Sequence, residues 1–152
     1  MSRKLSDLDP VVEQMAWRLI AAAPLVLQRE LFVVHTLRTY DEQQSLYEQG
    51  RTEPGKIVTN ARGGSSFHNF GLAMDLAFEQ DGTQHPTWST AGSDIDDWRL
   101  LGAMGEAIGF EWGGAPSFPL RDFGHFHYSG GESMDRIRAA YERDKKGWKL
   151  NA

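Results

Sequence analysis

Five side chains that can bind a metal ion or move a proton fall in two short segments of the chain. They are His68 and Asp75 in the first segment, residues 66–75, and Asp122, His125 and His127 in the second, residues 121–127. A catalytic zinc site takes three protein ligands from histidine, cysteine or carboxylate side chains and keeps a further position open. The chain has no cysteine, so histidine and carboxylate must supply every ligand of such a site.

The first segment leads into a stretch that alternates as a β-strand does. In residues 71–78 one face carries large apolar side chains, and the other carries Asp75 between Ala73 and Ala77. The small neighbours leave room for a metal ion, and a carboxylate on a largely apolar strand needs a compensating charge. Asp75 is therefore a candidate ligand, together with His68 at the mouth of the strand.

The second segment offers a further imidazole and a second carboxylate. His125 and His127 point the same way on a strand, and Asp122 stands three residues before His125. Zinc lowers the pKa of a bound water molecule to about 7, and an adjacent carboxylate can accept the proton and deliver it to a leaving amine. Such residues also occur together by chance in a chain with five histidines, so the residues alone leave metal binding open.

Both segments match the motifs of a known peptidase family. The pattern S-x-H-x-x-G-x-A-x-D, followed by D-x-x-H-F, resembles the zinc-dependent D-alanyl-D-alanine carboxypeptidase and L-alanyl-D-glutamate endopeptidase family, and in particular its phage-endolysin branch. The stretch LRTYDEQQSLYEQGRTEPGKIVTNA, residues 37–61, is similar to the front half of that branch. The resemblance extends from Val33 to Phe126, which is most of the chain.

The resemblance implies roles for individual residues. The implied zinc ligands are His68, Asp75 and His125, and the implied general base is Asp122. It also implies that Arg38 steadies the scissile carbonyl or a substrate carboxylate, and that Ser66 and Gln43 help to hold the peptide. The alternatives are a surface ion pair of Arg38 with Asp41 or Glu42, and a turn for Ser66.

One position departs from the family pattern. Relatives commonly carry glutamate or glutamine after the H-F pair, where this chain has His127. Three roles are open for His127. It could bind substrate as a donor to the transition state, hydrogen-bond to a metal ligand without touching the metal, or replace His125 as the third ligand. The D-x-x-H spacing favours His125.

The other histidines and the tryptophans have no partner motif. His35, on an apolar strand, is expected to be structural, and His85, in a polar loop, to be exposed. The tryptophans expected to pack in the core or at its rim are Trp17, Trp88, Trp98 and Trp148. For Trp112 two places stay open, in the core or beside the cleft, because two glycines follow it.

The order of elements predicts one small α+β domain, residues 1–152. We expect a short, mainly antiparallel central sheet packed by helices, with the zinc site in a surface cleft. The predicted helices are residues 10–24, 40–48, 94–108 and 134–145, and the main predicted strands are 31–36 and 71–78. The predicted caps are Asp9, Thr39 with Glu42, Ser93 and Ser133, and the predicted stops are Pro24, Gly50, Gly109 and Gly147.

The predicted function is hydrolysis of peptidoglycan peptide stems with one zinc ion, at the L-alanyl-D-glutamate bond. The alternatives are a D,D-carboxypeptidase or D-Ala-D-Ala dipeptidase of the same family, and a non-catalytic zinc-binding or wall-binding module. A net charge of −5 argues against a nucleic-acid partner.

The N-terminal residues set the expected location. They form an amphipathic helix pattern, interrupted by Glu13, Gln14 and Arg18, rather than the unbroken apolar stretch of a signal peptide. No segment is expected to be long enough to span a bilayer. We therefore expect no integral membrane contact, and as a separate expectation the protein is a monomer. It would be made in the cytoplasm and would reach the wall once the membrane is permeabilised, as an endolysin does.

Overall fold

The computed structural model describes residues 1–80, 82–118, 120–145 and 149–150. In chain order its elements are α1 (Pro10–Leu27), β1 (Leu31–His35), α2 (Tyr40–Glu48), β2 (Ala73–Glu79), β3 (Pro86–Thr87), α3 (Asp94–Ile108), β4 (Glu111–Trp112), β5 (His125–His127) and α4 (Met134–Arg143). Two 3₁₀ turns cover Leu5–Asp7 and Phe67–Phe70. The predicted stop at Gly147 and the ring of Trp148 lie outside the described residues.

The strands form one antiparallel sheet in the order β1-β2-β5-β4, and the short β3 also pairs with β2. Strand β2 therefore lies between β1 and β5, where side chains from three strands can meet. The predicted α+β fold with a mainly antiparallel sheet is confirmed. The sequence did not predict β3 and β4, which have two residues each.

One face of β2 forms the centre of the core. Its large apolar side chains are all buried, namely Met74, Leu76 and Phe78, and so is Leu72 just before the strand. They pack with residues of α1 and α3, and the rings of Phe78 and Trp98 lie 4.4 Å apart. Fully burying one such side chain contributes about 1.5–3 kcal/mol. This face fixes the orientation of β2, so Asp75 on the opposite face points away from the core.

Helix α1 begins where the sequence predicts but ends later. Asp9 Oδ1 accepts a hydrogen bond from Val11 N at 3.0 Å and caps the helix. The predicted end at Pro24 is wrong, because the helix continues through it to Leu27. Proline removes its own N–H donor and crowds the carbonyl four residues earlier. The last turn still forms, because the carbonyl of Pro24 accepts a hydrogen bond from Gln28 N at 2.9 Å.

By length and composition alone, α1 is also long enough to cross a membrane. Its 18 residues have a mean hydropathy of 1.2, and 28% of them are buried. This corrects the expectation that no segment is long enough to span a bilayer. A core helix and an N-terminal signal sequence share these properties, so a single helix of this kind is weak evidence for a span.

The other helices begin where the sequence predicts. In α2, Thr39 Oγ1 accepts from Glu42 N at 3.2 Å and Glu42 Oε2 accepts from Thr39 N at 2.9 Å, so the predicted capping box is present. Helix α3 has the predicted bounds, although its cap residue Ser93 makes no side-chain hydrogen bond. The cap of α4 is Ser133, whose Oγ accepts from Arg136 N at 3.4 Å.

Candidate metal centre

Three neighbouring strands bring side chains of the predicted site into one row. Asp75 in β2 pairs with His35 in β1 and with His125 in β5. The register of β1 shifts between Val33 and His35, which makes Val34 an extra residue in that strand. Such a bulge re-aims the side chains that follow it. His35, expected to be structural, therefore lies next to Asp75.

A tight turn before β2 positions His68. The 3₁₀ turn Phe67–Phe70 ends at Gly71, whose φ of 68° is in the left-handed region. A side chain at Gly71 would also meet the backbone oxygen of Asp7 at 3.0 Å, which explains the glycine of the motif. His68 is 2% exposed, and its Nδ1 lies 2.7 Å from the carbonyl oxygen of Thr36.

Three possible ligand atoms converge in front of β2. His68 Nε2 lies 3.1 Å from Asp75 Oδ1 and 3.3 Å from His125 Nδ1, and the last two atoms are 3.0 Å apart. In a tetrahedral zinc site with bonds of about 2.0–2.2 Å, neighbouring ligand atoms are about 3.3–3.6 Å apart. The triangle has nearly the size of one face of that tetrahedron. These three residues therefore fit a zinc ion.

The hydrogen bond of His68 supports the same conclusion. The carbonyl of Thr36 accepts a hydrogen bond from His68 Nδ1, so the ring in its neutral form carries a lone pair on Nε2. That lone pair faces the carboxylate of Asp75 and a ring nitrogen of His125. Electron-rich atoms at these distances repel one another, and a cation between them removes the repulsion.

Asp75 is held in its ionised form. Without a metal ion, when the neighbouring histidines carry protons, burial raises the pKa of Asp75, but the positive charge of His68 and the hydrogen bonds from His125, His35 and His68 outweigh burial and hold the pKa well below its usual value. The second carboxylate oxygen lies 3.3 Å from His35 Nδ1 and 3.3 Å from an amino group of Arg38. Oδ2 of Asp75 is thus oriented by His35 and Arg38, and Oδ1 faces the other two ligands, where it could bind a metal.

Gln43 and Arg38 form a buried pair behind the cleft. Arg38 donates to Gln43 Oε1 at 2.8 Å, and Gln43 Nε2 donates to the carbonyl of Ala61 at 2.8 Å. Arg38 is 8% exposed and lines the cleft, whereas Gln43 is fully buried. Gln43, expected to hold the peptide, therefore reaches the cleft through Arg38.

The three ligand atoms open onto a cleft of about 380 Å³. Besides the three ligands, the described residues that line the cleft include the polar or charged side chains of His35, Arg38, Ser66 and Asp122. Trp88 also lines the cleft and is 51% exposed. Trp98 is buried in the core as predicted, and Trp112 lies in the core rather than beside the cleft because its ring packs against Gly102.

Asp122 lines the cleft and is exposed to solvent there. Burial raises the pKa of Asp122, and the negative charge of Asp75 raises it further. The turn that carries Asp122 is fixed by its own hydrogen bonds, in which Oδ1 accepts from Gly124 N at 3.2 Å and the carbonyl accepts from His125 N at 3.2 Å.

His127 lies behind His125 rather than among the described residues that line the cleft. It is 3% exposed, and its Nδ1 is 3.2 Å from His125 Nε2. Its Nε2 lies 3.5 Å from Glu111 Oε2, a contact that the sequence did not indicate. Burial lowers the pKa of His127 to about 4, and the neighbouring charge of His125 acts in the same direction.

Comparison with known proteins places the chain among peptidases. A family model described as D-alanyl-D-alanine carboxypeptidase, of the peptidase M15 group, matches residues 59–128. The chain is also 44% identical over 114 residues to the peptidoglycan L-alanyl-D-glutamate endopeptidase CwlK of Bacillus subtilis (strain 168). The chain belongs to the M15 peptidase family. This match covers 72% of the chain and 66% of CwlK, just under two thirds of its length.

Solved structures of other proteins share the M15 fold. The Serratia marcescens L-Ala D-Glu endopeptidase ChiX matches with a TM-score of 0.56 and 20% identity, covering 82% of each chain. The vancomycin resistance D,D-pentapeptidase VanY, in a complex with Zn(II), matches with a TM-score of 0.58 and 19% identity over 95% of this chain and 82% of VanY. The family predicted from the motifs is confirmed, while its phage branch stays a prediction.

Proposed function

We propose that this M15 peptidase hydrolyses the peptide stems of peptidoglycan at the L-alanyl-D-glutamate bond, with one zinc ion. The observation that carries the proposal is the convergence of three ligand atoms in an open cleft that the carboxylate of Asp122 also lines. The similarity to CwlK supports the choice of substrate and bond.

The protein groups divide the work of hydrolysis. His68, Asp75 and His125 would hold a zinc ion, and that ion would polarise the scissile carbonyl and activate a water molecule. Asp122 accepts the proton of the attacking water and delivers it to the amine that leaves when the C–N bond breaks. A raised pKa suits this role, because a group that must take and return a proton works best when its pKa is near the working pH.

Arg38 and Ser66 are proposed to hold the substrate. The guanidinium of Arg38 faces the cleft and stays positively charged, so it can donate to the carbonyl oxygen as negative charge develops or to a substrate carboxylate. Ser66 lines the same cleft and offers a hydroxyl to the peptide. Gln43 contributes by fixing the guanidinium rather than by touching the substrate.

The biological setting is also part of the proposal. We infer a single-domain, monomeric endolysin of phage type, made in the cytoplasm and acting on the wall after membrane permeabilisation, without nucleic-acid or integral membrane contacts. The likeness of residues 37–61 to the endolysin branch supports this setting. Turbidity loss when the protein is added to permeabilised bacteria tests it, and gel filtration tests the monomer.

Purified muropeptides analysed by mass spectrometry test the reaction. Cleavage between L-alanine and D-glutamate is expected for the wild type and is expected to disappear in His68→Ala. The matched control is Asp96→Asn, which changes a largely exposed aspartate of α3. Release of terminal D-alanine alone would instead support the D,D-carboxypeptidase that the family model describes. No hydrolysis of any muropeptide would favour a binding module.

A further inference from the structure

Two aromatic rings, those of Phe67 and Phe118, contact the imidazole ring of His127. The ring stacks on Phe67 with centroids 4.1 Å apart and planes 10° from parallel. Phe118 meets it edge-on at 5.8 Å. A buried imidazole between two aromatic rings has little freedom to turn, so its two nitrogens have fixed directions.

Those directions join the metal centre to Glu111. Strands β4 and β5 pair Glu111 directly with His127, and Nε2 of the histidine lies 3.5 Å from Oε2 of Glu111. The other oxygen of Glu111 accepts a hydrogen bond from Ser129 Oγ at 2.6 Å, which holds the carboxylate in place. On the other side, His127 Nδ1 lies 3.2 Å from His125 Nε2.

The proton positions along this row are consistent with metal binding by His125. If Nδ1 of His125 bonds a metal, its Nε2 carries the proton and donates to His127 Nδ1. The proton of His127 is then on Nε2, where it points at Glu111. Hydrogen bonds of this kind from the far nitrogen of a ligand fix its tautomer and ring orientation.

His127 itself is poorly placed to be a ligand. Among the described residues, the side chains that bring three metal-ligating atoms within 4.8 Å of one another are those of His68, Asp75 and His125. The nitrogen of His127 nearest to them faces the far side of the His125 ring. The row therefore runs outward from the metal centre rather than into the cleft.

We propose that His127 and Glu111 are positioning residues that hold the His125 ring in the tautomer and orientation that bind zinc. The inference rests on the zinc site of the proposed function and does not depend on which bond is cleaved. It assigns a purpose to the histidine at the position where relatives commonly carry glutamate or glutamine.

Zinc affinity, measured by competition with a chromophoric chelator, tests the proposal. His127→Phe keeps an aromatic ring between Phe67 and Phe118 but removes the acceptor. Loss of such a supporting contact weakens metal binding by about 10–100-fold. His127→Asn places an amide oxygen near the position of Nδ1 and is expected to retain most of the affinity. Glu111→Ala is expected to weaken binding, whereas the exposed Glu106→Ala of α3 is its matched control.

Two further measurements separate positioning from general damage. Melting of the metal-free proteins shows whether each variant folds. Nitrogen NMR of the zinc-loaded wild type should show a hydrogen-bonded proton on His125 Nε2, and in zinc-loaded His127→Phe this proton should exchange faster with water because its acceptor is gone. If His127→Phe and Glu111→Ala bind zinc as tightly as the wild type while His68→Ala does not, the proposal is overturned and the metal site stands. Equal losses in the Phe and Asn variants also overturn it, and so does a wild type that binds no zinc.

Discussion

Replacement of Asp122 by asparagine separates its role as a base from any role in the fold. Asparagine has nearly the same size, and its oxygen can still accept the hydrogen bond from Gly124 N. It cannot accept a proton. The other carboxylate among the described residues that line the cleft is Asp75, which belongs to the metal centre, so no second carboxylate there is free to replace the base.

The expected loss of activity is large. General acid–base catalysis contributes about 10²–10⁴-fold, and without a substitute base we expect kcat to fall by at least about 10³-fold, or about 4 kcal/mol in the barrier. Zinc affinity should change little, because Asp122 is not one of the three converging ligands. Kinetics on a purified muropeptide and a chelator competition measure the two quantities.

The thermal stability of the metal-free Asp122→Asn protein should stay the same or increase, although its activity falls. The pKa of Asp122 is higher in the folded protein than in the unfolded chain, where it is about 3.9. The folded state therefore binds the proton more tightly, and the stability that this gives below the unfolded pKa is lost as pH rises through the folded pKa. At neutral pH the metal-free Asp122→Asn protein should melt at the wild-type temperature or above it, and this advantage should vanish in acid.

Two results would refute this reasoning. Retention of activity to within about threefold would mean that Asp122 is not the base. A metal-free variant that melts well below the wild type at neutral pH would mean that the carboxylate stabilises the fold, which contradicts the direction of its pKa shift. Asp96→Asn controls for the loss of one negative charge, since Asp96 is largely exposed.

The remaining predictions concern the cleft and the metal. Gln43→Leu leaves the Arg38 guanidinium without its buried acceptor. The free energy of unfolding should therefore fall by about 1–3 kcal/mol, and kcat/KM should also fall. Wild-type values for both quantities would contradict the proposed link between Gln43 and Arg38. Trp88→Ala should lower kcat/KM while the melting temperature stays nearly constant, because the ring is half exposed in the cleft; an unchanged kcat/KM would remove Trp88 from substrate binding. A saturating chelator should lower the melting temperature, because zinc at 100 times its Kd adds about 2.7 kcal/mol; identical melting with and without zinc would contradict a folded-state metal site.

Local patterns predicted the parts of the fold that depend on neighbours in sequence. The capping box of Thr39 and Glu42 located the start of α2, and alternation located β2 and the side of Asp75. These signals act over a few residues, so the sequence displays them directly. Pro24 misled the prediction of α1, because a single proline removes one donor without preventing a last turn.

The contacts around the metal centre depend on strand register, which the sequence does not display. His35 reaches Asp75 because β1 has a bulge, and Glu111 reaches His127 because β4 and β5 pair in one register. Neither pairing has a signal within a few residues of the histidine concerned. Trp88 enters the cleft from a loop whose path is set by distant parts of the chain, so its composition predicted only packing.

A crystal structure of the protein grown with zinc and measured at the zinc absorption edge tests the central claim most directly. The account predicts one anomalous peak about 2.0–2.2 Å from His68 Nε2, Asp75 Oδ1 and His125 Nδ1. It also predicts that His127 contacts His125 and not the metal. A peak bonded to His127, or no peak at this triangle, would contradict the account.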